Sequence, residues 1–255
     1  MKVPAPTVSI IIPFYNEEEN VESVLQETRA ANPDAEIVAV NDGSQDATES
    51  LIRKFPDVRL ISFETNLGQS AALYAGLNAA RGELCVLMDG DGQSHPGDIP
   101  ALVRLAAHHD VVCGYRVDRK DSWRVRAASR IANKIRRAVT GDGIRDAGCT
   151  LKVMRRAHVR YLIPFNQMQC YMVAMLRRAK LRIKEAPVRH RARRFGRSNY
   201  TIGGRALHGI RDLFGIHWLL AREIVWPPQI NPLGWPSSEG GAPQTTEKSR
   251  VKEGS

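Results

Sequence analysis

At 255 residues, with 43% hydrophobic and 25% charged side chains, the chain has the composition of an ordinary globular protein with one sizeable core. Its four cysteines, Cys85, Cys113, Cys149 and Cys170, lack C-x-x-C spacing and read as reduced residues of a cytosolic protein, which excludes a zinc site and a disulfide framework. The net charge of +10 is unevenly spread: residues 116–222 carry 27 Lys/Arg against 6 Asp/Glu, so an acidic front half precedes a basic back half whose partners are expected to be anionic, namely phosphate, anionic lipid or nucleic acid.

Met1-Lys2-Val3-Pro4 leads directly into a strand with no secretory signal. Strand and helix patterns then alternate. Val8-Ser9-Ile10-Ile11-Ile12 is a β-branched strand stopped by Pro13. Asn16 is expected to cap a helix whose acidic start, Glu17-Glu18-Glu19, suits the positive end of the helix dipole. Glu36-Ile37-Val38-Ala39-Val40 is a second strand, ending at Asn41-Asp42-Gly43-Ser44. A third, Val58 to Phe63, leads into Asn66-Leu67-Gly68-Gln69-Ser70 and an alanine-rich helix. Leu84-Cys85-Val86-Leu87-Met88 reads as a buried parallel strand, and Asp110-Val111-Val112-Cys113-Gly114 as a fifth. The order predicts an α/β fold around a mainly parallel, doubly wound sheet.

Two later segments are amphipathic. In residues 122–139, Trp123, Ala127, Ala128, Ile131, Ile135 and Val139 recur at helical spacing among Arg124, Arg126, Arg130, Lys134 and Arg137. In residues 201–221, Ile202, Ala206, Ile210, Phe214 and Trp218 do the same beside Arg205, His208 and Arg211. Two basic, tryptophan-bearing stripes in one domain are expected to lie in a lipid interface. No run reaches the ~18–20 apolar residues of a membrane span; Ile216 to Trp226 is too short and contains Arg222 and Glu223. The expected organisation is one domain over residues 1–225 and a disordered polar tail over 226–255.

Polar residues cluster after the first, second and fourth strands, where open α/β sheets gather ligands. Asp89-Gly90-Asp91-Gly92-Gln93, directly after the fourth strand, is the most informative stretch. Two carboxylates two residues apart, with glycines that let the backbone come close, suit Mg²⁺ or Mn²⁺, which is held by one or two carboxylates plus substrate phosphate oxygens. A metal–diphosphate is the ligand expected there.

Several motifs together resemble the family 2 glycosyltransferases with a GT-A fold, and within them the polyprenyl-phosphate glycosyltransferases. The matching stretches are Ser9-Ile10-Ile11-Ile12-Pro13-Phe14-Tyr15-Asn16-Glu17, Val40-Asn41-Asp42-Gly43-Ser44, Asn66-Leu67-Gly68-Gln69 and the Asp89/Asp91 motif. Asp146-Ala147-Gly148-Cys149 with Lys152, and Arg193-Arg194-Phe195-Gly196-Arg197-Ser198-Asn199-Tyr200, match the lipid-phosphate branch. The resemblance spans residues 7–221. It implies that Pro13, Tyr15, Glu17, Asp42 and Gln69 hold a nucleotide-diphosphate sugar, with Asp42 near the base. It implies that Asp89 lies beside the ribose and diphosphate, and that Asp89, Asp91 and Gln93 form the environment of a Mg²⁺ or Mn²⁺ ion. Arg116, arginines of the first amphipathic helix (Arg124 or Arg126, near Ser129) and Arg193 would meet the phosphate of a polyprenyl acceptor, for which the planar arginine fork is suited. The implied reaction is inverting transfer to a polyprenyl phosphate by a peripheral enzyme on the cytoplasmic face of an anionic membrane, with Asp91 and Arg116 as its catalytic residues. Asn66-Leu67-Gly68-Gln69 leans towards UDP-sugar rather than GDP-mannose donors.

The chain departs from the family pattern in three places. Bacterial relatives often carry a Met-His-Arg-like run where this chain has Met168-Gln169-Cys170, and many carry lysine where it has Asn199. Many also continue into transmembrane helices, whereas a polar tail follows here. Rival readings remain. A soluble acceptor would need a carboxylate base, for which Asp146 is the best candidate. Nucleic-acid binding would use the basic half, but aromatic residues are sparse at 6% and no nucleic-acid signature occurs. Gly90-Asp91-Gly92 opens like a dinucleotide fingerprint, yet His95 stands at the third glycine position. An idle regulatory subunit would have no use for an intact Asp89/Asp91/Gln93 set.

Overall fold

The computed structural model describes residues 7–117, 123–192 and 202–222, with residues 123–130, 132 and 202–211 described as backbone alone. Its elements run β1 (Val8–Phe14), α1 (Glu18–Ala31), β2 (Glu36–Asn41), α2 (Thr48–Ile52), β3 (Val58–Ser62), α3 (Gln69–Ala79), β4 (Leu84–Leu87), α4 (Ile99–Leu105), β5 (Val111–Arg116), α5 (Trp123–Thr140), β6 (Lys152–Arg155), α6 (Met168–Arg178), β7 (Ile183–Val188) and α7 (Ile202–Arg222). Seven strands form one sheet in the order β3-β2-β1-β4-β6-β5-β7. β1 pairs in parallel with β2 and β4, and β2 with β3, while β6 runs antiparallel between β4 and β5. The mainly parallel α/β sheet expected from the sequence is present, with β6 and β7 added beyond the five expected strands.

Strand alternation builds two cores. Ile11, Cys85 and Leu87 face a layer containing α3, α6 and the inner stripe of α7, whereas Ile10, Ile12, Phe14 and Val86 face α1 and α4. Both faces of the central strands are thereby buried, which explains their continuous apolar runs. The carboxyl ends of β1, β2 and β4 lie side by side, because β1 sits between the other two.

The helix after β1 corrects one expectation. Asn16 does not cap it: α1 begins at Glu18 with Glu17 at the cap position, and Asn16 adopts φ 52°. Its side chain accepts instead from the Gln45 amide at 2.8 Å, and the Glu17 amide donates to Thr48 Oγ1 at 2.9 Å. The loops after β1 and β2 are thus stitched to one another, and Asn16 is drawn away from its own helix.

Both long amphipathic helices form, and they pack on each other. Ile216 and Leu220 of α7 enter the core, whereas Phe214 and Trp218 are 75% and 61% exposed and Ile131 and Ile135 of α5 are 62% and 52% exposed. Four of the described side chains of the apolar stripes singled out in the sequence are therefore turned away from the core, and a fifth, Val139, is half-buried. Among the described residues, no helix is long and apolar enough to cross a membrane. The tail over 226–255 lies outside the described residues.

Candidate active site

The loop after β4 folds over the end of β1, and glycine makes this possible. A Cβ at Gly90 would lie 2.5 Å from the Pro13 carbonyl and 2.6 Å from the Phe14 ring. Gly92 then turns the chain with φ 73°. Asp89, Asp91 and Gln93 emerge from this turn, all partly open to solvent.

A short strap after β7 closes the loop from outside. Ser94 bridges His190, the Arg191 amide donates to the Gln93 carbonyl at 2.9 Å, and the Gln93 side-chain amide donates to the Arg191 carbonyl at 3.4 Å. Arg189 pairs with Asp98 and Arg191 with Glu27. Gln93 therefore ties the loop to the strap, a structural part that its place in the motif does not reveal. The strap also brings His190 to a cleft lined by Asp89, Gln93, Arg116, Thr150 and Arg189. His190 was not singled out in the sequence, because nothing in Val188-Arg189-His190-Arg191 indicates a return to the β4 end.

Two carboxylates and the surrounding cations set the electrostatics. Burial, and then the charge of Asp91, push Asp89 up to about 6; the Thr150 hydroxyl and the charges of Lys152 and Arg116 oppose this by favouring the ionised form. Lys152, fully buried on β6, donates its Nζ to the carbonyls of Cys149 and Ala147 and so shapes the segment before β6. Among the described residues, no group of three or more His, Cys, Asp or Glu side chains surrounds a metal-sized space. The donor set is thus Asp89, which lines the cleft, and the partly exposed Asp91 two residues on, a set that fits a hard divalent cation whose remaining ligands are phosphate oxygens and water.

Asp42, at the end of β2, is buried. It accepts from the Leu67 amide at 2.8 Å, the Gly68 amide at 3.0 Å and the Asn66 side chain at 2.9 Å. Burial raises it above the usual carboxylate range against these two amides. Asp42 thereby fixes the loop before α3 and delivers Gln69, whose Nε2 donates to Asp89 Oδ1 at 2.7 Å. Pro13 and Tyr15 stand partly exposed at the end of β1, and the Glu17 carboxylate accepts from Asn20 Nδ2 at 2.5 Å.

Arg116 ends β5 on the other side of the cleft. Its Nε and Nη2 donate to the two Asp146 oxygens at 2.7 and 2.8 Å, and its backbone amide adds a third bond at 3.2 Å. Desolvation opposes the Arg116 charge, but the hydrogen bonds and charge of Asp146 overcome it and raise its pKa. Asp146 is held as the counter-ion of Arg116, a poor state for a general base. Of the other expected acceptor contacts, the side chains of Arg126 and Ser129 on α5, and Arg193, lie outside the described residues.

The sequence profile of glycosyl transferase family 2 matches residues 9–162, more than half of the chain, and these residues contain every element of the cleft up to β6. The chain belongs to glycosyl transferase family 2. It is 34% identical over 205 residues to an undecaprenyl-phosphate 4-deoxy-4-formamido-L-arabinose transferase of Edwardsiella ictaluri (strain 93-146), covering 76% of this chain and 63% of the relative. It is 33% identical over 209 residues to the protein of that name from Serratia proteamaculans (strain 568), covering 78% and 64%. The aligned region thus spans just under two thirds of these curated relatives. Among solved structures, glucosyl-3-phosphoglycerate synthase of Mycobacterium tuberculosis in complex with Mn²⁺, UDP-glucose and phosphoglyceric acid matches with a TM-score of 0.65 at 20% identity, covering 91% of this chain and 90% of that one. The same synthase with Mn²⁺, UDP and glucosyl-3-phosphoglycerate matches with a TM-score of 0.62 at 22% identity, covering 84% and 79%. The family 2 chain has the α/β GT-A fold expected from its motifs.

Proposed function

We propose that this family 2 chain transfers a sugar from a nucleotide diphosphate to a polyprenyl phosphate, with inversion at the anomeric carbon, to give a polyprenyl monophosphate sugar. The observation that carries the reading is that Asp89 and Arg116 line one cleft. A carboxylate suited to a metal–diphosphate, with Asp91 two residues further along the same turn, and a guanidinium suited to a second phosphate thus meet at one space. The relatives' names, which specify undecaprenyl phosphate and an arabinose derivative, support the acceptor class, and the UDP in the matched synthase structures supports a UDP-sugar donor over GDP-mannose.

In this mechanism Pro13, Tyr15, Glu17 and Asp42 bound the nucleotide end, with Asp42 acting largely through the loop it fixes. Asp89 and Asp91 would hold Mg²⁺ or Mn²⁺, with Gln93 keeping their loop in place. A cation held there would supply Lewis-acid stabilisation of the charge that develops on the leaving diphosphate. Arg116, kept in one orientation by Asp146, presents its remaining N–H groups to the acceptor phosphate, with Arg126, Ser129 and Arg193 proposed as further contacts. A phosphate monoester has its second pKa near ~6 and is largely dianionic at neutral pH, so one of its oxygens attacks C1 without a protein base. That requirement matches the state of Asp146, whose carboxylate is occupied by Arg116. Positioning and charge stabilisation then supply the catalysis.

The exposed Ile131, Ile135, Phe214 and Trp218 on two basic helices support docking on an anionic membrane surface, where a polyprenyl phosphate presents its head group. The reading is tested by incubating the protein with Mn²⁺, undecaprenyl phosphate and, separately, radiolabelled UDP- and GDP-sugars. Label extracted with the lipid from one donor, and absent with Asp91→Ala, is the expected result. Release of nucleotide without lipid-borne label would favour a soluble acceptor.

A further inference from the structure

Gln169 enters the sequence only as a departure from the family pattern, and no step of the reaction above uses it. It is the second residue of α6 and 8% exposed; Ser70, in the first turn of α3, is 6% exposed. Three hydrogen bonds link these helices to the metal-side carboxylate. Ser70 Oγ donates to Gln169 Oε1, Gln169 Nε2 donates to Gln69 Oε1 at 3.1 Å, and Gln69 Nε2 donates to Asp89 Oδ1 at 2.7 Å. We propose that Gln169 is a positioning residue that acts through Gln69 to aim the Asp89 carboxylate, an inference that rests on Asp89 belonging to the donor site.

The polarity of this chain is fixed from its carboxylate end. An ionised Asp89 offers only acceptors, so Gln69 must turn its NH₂ group towards it. The Gln69 carbonyl then faces Gln169, which must in turn present its own NH₂. That leaves the Gln169 carbonyl against Ser70, whose hydroxyl rotates to donate to it. Each amide has one orientation that satisfies both neighbours. Without Gln169, the Gln69 carbonyl loses its donor and one of the two bonds that hold the side chain in place, so Gln69 can leave the rotamer that sets its NH₂ group on Asp89. With it, Gln69 from α3 and the Thr150 hydroxyl from the segment before β6 hold the carboxylate from two sides. The remaining lone pairs of Asp89 face the cleft. The burial of Gln169 and Ser70 adds to the constraint, since a buried amide left without a partner is costly.

The test is calorimetric titration of UDP, and separately GDP, in the presence of Mn²⁺, with the tighter nucleotide used for all variants. Gln169→Leu is expected to weaken binding by about tenfold, the scale on which groups supporting a metal ligand act. Gln69→Leu is expected to cost at least as much. The double variant should bind no more weakly than Gln69→Leu, because both residues belong to one chain of bonds. Gln169→Glu keeps the size and shape of the side chain but offers Gln69 an acceptor where a donor is required, so it should lose at least as much as Gln169→Leu. Gln169→Glu also serves if the leucine variant does not fold. Additive losses in the double variant, or wild-type affinity in Gln169→Glu, would overturn the proposal. If Asp89→Asn abolishes binding while the Gln169 variants retain it, the relay fails and the donor site stands. If the wild-type protein binds neither nucleotide with Mn²⁺, the donor-site reading fails, and the role of the relay with it.

Discussion

Asp89 is held between opposing influences: burial and the Asp91 charge favour its proton, whereas the Thr150 hydroxyl, Lys152 and Arg116 favour its charge. Burial and the neighbouring Asp91 charge let the metal-free folded chain keep a proton on Asp89 up to about pH 6, whereas the ordinary carboxyl loses it near 3.8. Between these values the folded state binds more protons than the unfolded one, so the Asp89 contribution to stability falls as pH rises through the window. Asp89→Asn removes that contribution. Urea unfolding in chelator should therefore show the variant gaining stability relative to wild type between about pH 4 and about pH 7. A difference that stays flat would contradict the burial of Asp89 together with its placement near Asp91. Asp146 gives a second test. Removal of a general base typically costs ~10²–10⁴ in rate. As a counter-ion, Asp146 should instead act through Arg116: Asp146→Asn is expected to raise the acceptor KM several-fold and lower kcat by less than about tenfold. A loss of two or more orders of magnitude in kcat would make Asp146 the base and favour a soluble acceptor.

The two amphipathic helices are where pattern and packing are most easily confused. Each stripe read from the sequence could have faced the protein's own core, and α7 does bury Ile216 and Leu220. Of the described side chains of the stripes themselves, Ile131, Ile135, Phe214 and Trp218 point the other way, while Val139 is half-buried. Large apolar side chains gain about 1.5–3 kcal/mol each when fully removed from water. Phe214→Asp with Trp218→Asp should therefore abolish co-sedimentation with anionic vesicles while Mn²⁺-dependent nucleotide binding persists. Loss of both would mean the substitutions had disturbed the fold. The end of α5 is anchored separately, by the buried ion pair of Arg136 with the fully buried Asp142, supported by an Arg136 Nη2 bond to the Ile144 carbonyl at 2.9 Å. Breaking one side leaves a buried charge, so Arg136→Met should cost about 3–5 kcal/mol in chemical denaturation. Adding Asp142→Asn should recover much of that loss. The stripes were legible because a 3.6-residue period is local. The ion pair was not, because nothing in Gly141-Asp142-Gly143 says which arginine will meet it.

Across the whole molecule, the legible parts are those set by continuous apolar runs. The first five strands were readable because both faces of the central ones are buried. β6 was not, since Lys152-Val153-Met154-Arg155 has only two apolar residues and hides a lysine by donating its amine to two carbonyls. β7 contains Pro187, which a sequence reader takes as a strand breaker but an edge strand tolerates. Much of the candidate site was legible for the same reason as the strands: Asp42, Asp89 and Asp91 follow recognisable strand ends. The Arg116–Asp146 pair, the His190 strap and the Gln69–Gln169 contact join segments from 30 to 100 positions apart, and only the folded sheet brings them together. That assembly sets Asp89 and a counter-ion-bound Arg116 around one cleft, with Asp146 engaged by that arginine rather than left as a base. The central claim is that the acceptor's own phosphate is the nucleophile. It is tested most directly by phosphorus and proton NMR of the purified reaction product. The account predicts a single phosphodiester joining the anomeric carbon to the lipid phosphate, with configuration opposite to that of the donor. A retained configuration, or an anomeric carbon bonded to a hydroxyl oxygen of the acceptor, would contradict it.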